Sequence, residues 1–249
     1  MGCTAWVHKA PHAQEFPPPL RRLGHVSEVD RTDLAETETV EHEHDAGPAE
    51  PAAAPLDPEV LARRDAALAR VIKIGDPVLN SKASPVADFD RRLEEEVERM
   101  VAIMRDAIGV GLAATQLGIL RRILVFQAGA ETEPTAVVNP EIEWRSDEVV
   151  VAEEGCLSIP RVTVDVERPL FARVRGQDTT GRPLTIEAAG LEARVLQHEI
   201  DHLDGVLMLE HTDPEQRKGA LRALREGHEY SPPTDPAEEA LQGEAATAA

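Results

Sequence analysis

The chain is nearly without cysteine: 2 in 249 residues, Cys3 and Cys156. A disulfide framework is therefore excluded, and Cys156 needs a reason of its own. Positive charge is scarce as well. Lys and Arg number 26 against 46 Asp and Glu, for a formal net charge of −20, so a nucleic-acid footprint is not expected. Nothing approaches the roughly 20-residue apolar run of a membrane span. No apolar stretch follows Met1, which argues against a secretory signal, and an acidic leader makes a poor transit peptide. The opening Met1-Gly2-Cys3-Thr4-Ala5-Trp6 fails the myristoylation pattern at Trp6. No Gly-x-x-x-x-Gly-Lys phosphate cradle occurs, and the pair Gly109-x-Gly111 lacks the third glycine of a dinucleotide fingerprint. The expected location is a reducing cytoplasm, which keeps Cys156 available as a thiolate.

What is present divides into three parts. Residues 1–66 contain Phe16-Pro17-Pro18-Pro19, an acidic stretch from Glu28 to Asp45 and a Pro/Ala-rich run from Gly47 to Pro55. Such a composition buries too little apolar surface to offset ordering, so a disordered leader is expected. Residues 229–249 carry five acids and no Lys or Arg and read as a second solvated tail. Between them, residues 67–228 have the size of one domain. Short β-rich runs at 123–126, 136–138, 149–151, 162–166, 172–176 and 184–187 follow one another without βαβ alternation. That order predicts an α+β fold with mainly antiparallel sheet. Asp178-Thr179-Thr180-Gly181 is a good hairpin turn.

Two amphipathic helices frame these strands. Leu93, Val97, Met100, Val101, Met104 and Ile108 keep helical spacing, with Gly109 and Gly111 predicted to end that helix and let main chain approach something closely. A closing helix is expected over Pro214–His228, with Leu221 and Leu224 inward and Arg217, Lys218, Arg222 and Arg225 outward. Its basic face reads first as solvated surface, and a weak association with ribosomal RNA is the alternative.

The chemistry concentrates in His198-Glu199-Ile200-Asp201-His202, set in an apolar run. Four residues on a helix are a rotation of about 400° and a rise of about 6 Å, so both imidazoles lie on one face and a divalent transition metal can be held by both. Glu199 projects about 100° away, where its carboxylate reaches water and not the metal. A catalytic site of this kind takes three protein ligands and leaves a position for water. The third ligand has several candidates. Met208 stands where a long three-His signature would place a third His, and a thioether is a poor ligand for a borderline ion. Glu226, on the closing helix, is the choice a zinc peptidase would make. Cys156, in Glu153-Glu154-Gly155-Cys156-Leu157-Ser158-Ile159-Pro160, would complete an open site of one thiolate and two imidazoles. Gly155 and Pro160 read there as a shaped loop. Gln116 offers an uncharged NH2 donor of the kind that fills oxyanion holes.

Three segments, Gly109-Val110-Gly111-Leu112-Ala113-Ala114-Thr115-Gln116, Glu154-Gly155-Cys156-Leu157-Ser158 and His198-Glu199-Ile200-Asp201-His202, together resemble the peptide deformylases, whose motifs occur in this order. The flanking Val71–Leu79 and Ala83-Ser84-Pro85-Val86 look like that family's opening strand and turn. The resemblance covers about residues 70–228 and implies antiparallel sheets packed around the metal-binding helix.

What the resemblance further implies is specific. The substrate would be the formyl-methionine end of newly made bacterial proteins, with formate released in the bacterial cytoplasm. Cys156, His198 and His202 would hold ferrous iron (Fe2+), with Zn2+, Ni2+ or Co2+ able to substitute. Glu199 would act as general base and then acid, while Gln116 and the backbone N–H of Leu157 would meet the oxyanion. Val110, Gly111, Leu191, Val195 and His198 would line the methionine pocket. For Arg194 the expected posture is a stem over apolar surface and a head in solvent; facing the substrate is the alternative. Members often carry an Arg a few residues after the Cys motif; here Arg161 is the candidate substitute. A zinc peptidase and a non-catalytic relative remain as alternatives; the second would be expected to have lost Glu199 or a ligand.

Overall fold

A computed structural model describes residues 57–129 and 132–233. Cys3, most of the leader and most of the acidic tail lie outside the described residues. In chain order the elements are helix α1 (Pro58–Leu68), helix α2 (Arg91–Asp106), strands β1 (Gly111–Ala113), β2 (Ile123–Phe126), β3 (Thr135–Arg145), β4 (Val149–Cys156), β5 (Ile159–Pro169), β6 (Phe171–Gln177) and β7 (Pro183–Ala189), then helices α3 (Gly190–Asp204) and α4 (Pro214–Glu226). The fold is α+β. A five-stranded sheet has the order β1-β2-β3-β6-β7, and β4 and β5 form a separate two-stranded sheet. Every pair among these strands is antiparallel.

Strand β2 explains the layering. Its four residues are apolar and all buried, and alternate side chains of a strand face opposite sides of the sheet. Ile123 and Val125 join Leu93, Met100 and Met104 of α2 on one side. Leu124 joins Val195, Leu196, Ile200 and Leu203 of α3 on the other, in a cluster that also holds Phe126. The five-stranded sheet is thus covered by α2 on one face and by α3 on the other. A third cluster lies under the two-stranded sheet, where Val162, Val164 and Val166 of β5 meet Ala220 of α4, Met208 and Leu209.

The helices begin and end for local reasons. The Asp90 carboxylate accepts from the N–H groups of Arg92 and Leu93 at 3.0 and 3.1 Å, which caps α2. Asp213 caps α4 in the same way. Helix α3 stops at Gly205, whose φ of +78° favours glycine, and a Cβ there would come within 2.7 Å of the Asn80 carbonyl carbon. That close approach seats the helix end against the turn at Pro77–Asn80.

Several expectations are corrected. No strand forms over Val71–Leu79; the chain there is irregular and closes in a 3-10 turn at Pro77–Asn80, as the fixed φ of Pro77 favours. The α2 stripe ends before Ile108, which is exposed and adopts the left-handed region itself (φ 57°). On α4 the inward positions are Ala220 and Ala223, with Leu224 partly buried and Leu221 exposed, because the small residues set how closely that helix approaches β5. The boundary at residue 66 falls inside α1, whose Ala67 and Leu68 pack with α2. After α4 the chain returns to β5, where Tyr230 exchanges backbone hydrogen bonds with Arg161 and Thr163 at 2.9 Å each. Tyr230 therefore belongs with the domain and not with the tail.

Met104→Ala, which opens a void between α2 and the sheet, is expected to cost about 2–5 kcal/mol in urea denaturation. Leu221→Ala, on the exposed side of α4, should stay within about 0.5 kcal/mol. Similar losses for both would contradict the layering.

Candidate active site

Strand β4 ends at Cys156 and delivers two functional groups on one face. Residues two apart on a strand point the same way, so the buried Glu154 and the partly buried Cys156 both turn toward α3. Beyond them Leu157 and Ser158 form a tight turn into β5. This corrects the loop expectation for Gly155 and Pro160: both lie within strands. A Cβ on Gly155 would meet nothing closer than Thr163 Cγ2 at 3.5 Å, an ordinary contact.

The thiol and both imidazoles converge. The ligating atoms of Cys156, His198 and His202 all lie within 4.8 Å of one another. Cys156 Sγ is 3.1 Å from His202 Nε2, and the two rings sit with centroids 4.9 Å apart, nearly perpendicular. Burial raises the thiol pKa, but the His202 charge and hydrogen bonds from both rings outweigh it and hold Cys156 well below its ordinary value. His198 moves the other way: burial lowers it, and the partners Cys156 and Glu154 raise it well above the usual imidazole range. One thiolate and two imidazole nitrogens are a donor set for a divalent transition metal, and the residues present fit such an ion.

Glu154 anchors this arrangement. Its carboxylate lies 2.9 Å from His198 Nδ1, which leaves Nε2 for the cluster and is the usual outer support of a metal-binding His. The same carboxylate accepts from Arg168 Nε and Nη2 at 2.7 and 3.0 Å and from Arg194 Nη1 at 2.9 Å. Arg168 Nη1 reaches on to Asp201 at 2.6 Å. Burial pushes the Glu154 carboxyl up, yet the hydrogen bonds of His198 and Arg168 and their charges hold it well below the carboxylate range. Arg194 is therefore not a solvent-reaching side chain. Its head is buried and also donates to the Val166 and Val150 carbonyls at 2.8 and 2.5 Å, because a buried carboxylate offers it more than water would.

Glu199 lies between His198 and His202 on α3. It is buried, and its Oε2 has no hydrogen-bond partner among the described residues. Burial lifts its pKa to about 7, with the His198 and His202 charges pulling partly back. Strand β1 passes directly over it: a Cβ on Gly111 would strike Glu199 Oε1 and lie 2.8 Å from Cδ. The close approach expected for the glycine pair is this contact. Gln116, in the 3-10 turn Ala114–Leu117 after β1, is also oriented. Its Oε1 accepts from Ala113 N–H at 2.8 Å, and its NH2 reaches Ser158 Oγ at 3.3 Å and Cys156 Sγ at 3.6 Å. Among the pocket candidates, Gly111 and Val195 are buried, Leu191 is half-buried and Val110 is exposed.

The other ligand candidates stand elsewhere. Met208 is packed in the cluster under β5, and Glu226 is at the surface, 3.0 Å from Arg222 Nε. Arg161 is exposed with a left-handed φ of 62°. Sequence reasoning passed over the Glu154–Arg168–Asp201 line. A signal was present: Arg194, His198 and Asp201 are spaced four and three apart on one helix, and Arg168 continues the inward alternation of Val162, Val164 and Val166. Arg168→Met should destabilise by about 3–5 kcal/mol, since it leaves buried carboxylates short of charge. Urea denaturation checks this, and a loss below about 1 kcal/mol would mark the pair as an ordinary surface bridge.

A family model described as polypeptide deformylase matches residues 68–218. Among curated proteins, the chain is 44% identical over 164 residues to a peptide deformylase of Parafrankia sp., covering 66% of this chain and 88% of that protein. It is 47% identical over 148 residues to one of Thermotoga neapolitana, covering 59% and 89%. Among solved structures, a Synechococcus elongatus peptide deformylase in complex with actinonin superposes with a TM-score of 0.60 at 37% identity, covering 64% of this chain and 87% of that one. The Thermotoga maritima enzyme does so with a TM-score of 0.56 at 46% identity, covering 58% and 97%. With the thiol, both imidazoles, Glu199 and Gln116 gathered at one place, the chain belongs to the polypeptide deformylase family.

Proposed function

We propose that this protein is a metal-dependent hydrolase that removes the formyl group from the N-terminal formyl-methionine of newly made proteins. The observation that carries the reading is the meeting of Cys156, His198 and His202 within 4.8 Å, beside a buried carboxylate on the same helix. A cation held there would lower the pKa of water from about 16 toward about 7 and place positive charge beside the formyl oxygen. Ferrous iron is the proposed native ion, with Zn2+, Ni2+ or Co2+ as substitutes.

The chain's own residues do the rest. Glu199, with a pKa lifted by burial to about 7, is suited to accept the proton of the attacking water and return it to the departing amine near neutral pH. A C–O bond forms at the formyl carbon, the C–N bond breaks, and formate and a free α-amine leave. Negative charge on the formyl oxygen is met by the Gln116 NH2, already aimed at the sulfur, and by the Leu157 N–H; one such donor is typically worth about 10²–10³ in turnover. Val110, Gly111, Leu191 and Val195 are the proposed walls for the methionine side chain. Leu191 and Val195 precede His198 on α3, one turn apart.

The proposed setting is the bacterial cytoplasm; no helix among the described residues is long and apolar enough to cross a membrane. Weak ribosome association rests only on the exposed cations of α4. Lys218 and Arg222 already pair there with Glu215 and Glu226 at 3.7 and 3.0 Å, so the solvated reading of that face is the better one. A zinc peptidase is the second reading of the His-Glu-x-x-His helix, and it leaves Cys156 without a task.

Formate release from formyl-Met-Ala-Ser by the iron or nickel protein, prepared without oxygen, tests the assignment. Glu199→Ala should keep the metal and lose at least about 10²-fold in kcat, whereas Cys156→Ala should lose the ion. Full metal retention in Cys156→Ala would favour the peptidase. Activity of the iron form should also decay in air while that of the nickel form persists, since a thiolate beside a redox-active ion is open to oxidation; equal lifetimes would argue against iron chemistry at this site.

A further inference from the structure

We propose that Lys73 is a positioning residue for this reaction: with the main chain of Ile72 and Ile74 it braces the turn carrying Cys156 and Leu157 against the turn carrying Gln116. The inference rests on the deformylase reading above. Three successive residues reach both turns. Ile72 N–H donates to the Gln116 carbonyl at 2.8 Å, and Ile74 N–H donates to the Ser158 carbonyl at 2.9 Å. Between them Lys73 Nζ donates to the Leu157 carbonyl at 3.1 Å and to the Leu68 carbonyl, at the end of α1, at 2.9 Å.

The segment is free to do this because it forms no strand. Residues that would spend their N–H groups on a sheet ladder spend them on the two turns. Ile72 and Ile74, like Cys156, also pack against the buried cluster that holds Ile159, so the brace is seated as well as hydrogen-bonded. Across the joint, Gln116 NH2 reaches both Ser158 Oγ and Cys156 Sγ. The distance between the Gln116 amide and the Leu157 N–H, the two proposed oxyanion donors, is therefore set by a clamp outside either motif. Lys73 adds charge to this geometry. Its ammonium is half-buried, and the attraction of the Cys156 sulfur partly opposes the effect of burial on it.

A purely structural account is available: Lys73 could serve only to fix the C-terminal end of α1, a common use of lysine. The two accounts separate in measurement. Lys73→Met keeps the stem and removes the donors, and Lys73→Arg keeps charge and donors. In the full-length metal-loaded protein, Lys73→Met should lower kcat for formyl-Met-Ala-Ser by about 10- to 100-fold, as loss of an outer support does, with KM changed less than about threefold. In the cobalt-substituted protein the thiolate-to-cobalt absorption band should shift. Amide hydrogen exchange at Leu157 and Ser158 should accelerate more than in the core strands. Lys73→Arg should restore most of each.

Loss of stability in Lys73→Met with unchanged kcat and an unchanged cobalt band would overturn the brace and leave deformylation standing. If the wild-type protein released no formate, the functional reading would fail by itself. The amide exchange of the metal-free protein would then still decide the brace, and unchanged rates at Leu157 and Ser158 would overturn it.

Discussion

The buried carboxylate of Glu154 is the joint on which the site depends. Isolated in a protein interior, a carboxylate costs several kcal/mol after relaxation, so its presence obliges the fold to bring cations to it. Arg168 comes from the neighbouring strand, Arg194 and His198 from α3. Satisfying one charge thus docks the two-stranded sheet onto the helix. Because Cys156 lies two residues further along the same strand face, the docking carries the thiol to the imidazoles as a consequence. The structural ion network and the Cys156–His198–His202 cluster are one construction.

Around that joint the rest of the domain supplies dryness and precision. Helix α3 is covered by the five-stranded sheet, which is why Glu199 is buried and its pKa lies about 7 and not in the usual carboxylate range. The same closeness requires glycine at position 111. Gln116 is held at both ends of its amide, one by Ala113 and the other by Ser158 and Cys156, so its NH2 orientation is settled before any substrate arrives. Preorganised donors of this kind act without reorganisation at the moment of reaction.

Local rules read some features well and fail where a partner comes from far along the chain. The strand runs, the hairpin at Asp178–Gly181 and the α2 stripe as far as Met104 follow from periodicity and turn chemistry, which are properties of neighbouring residues. Ile108 departs because the chain must turn back toward the sheet, and the left-handed residue falls one position before Gly109. Val71–Leu79 has strand-like composition, but the N–H groups of Ile72 and Ile74 go to the carbonyls of two turns and not to a sheet ladder. Arg194 defies the tendency of long basic side chains to reach water, since only the folded protein reveals the carboxylate that faces it.

By itself the sequence determined the α+β class, the helix that places His198 and His202 on one face with Glu199 beside them, and the residue types of a metallohydrolase at Cys156 and Gln116. Those follow from helical geometry and donor chemistry, which act over a few residues. Only the tertiary structure decided which of Cys156, Met208 and Glu226 joins the imidazoles, that Glu154 with Arg168 and Arg194 holds them, and that residues 72–74 tie the two turns together. Each of these is a contact between segments 14 or more residues apart, set by which faces are buried together and by the need of buried charges and backbone groups for partners.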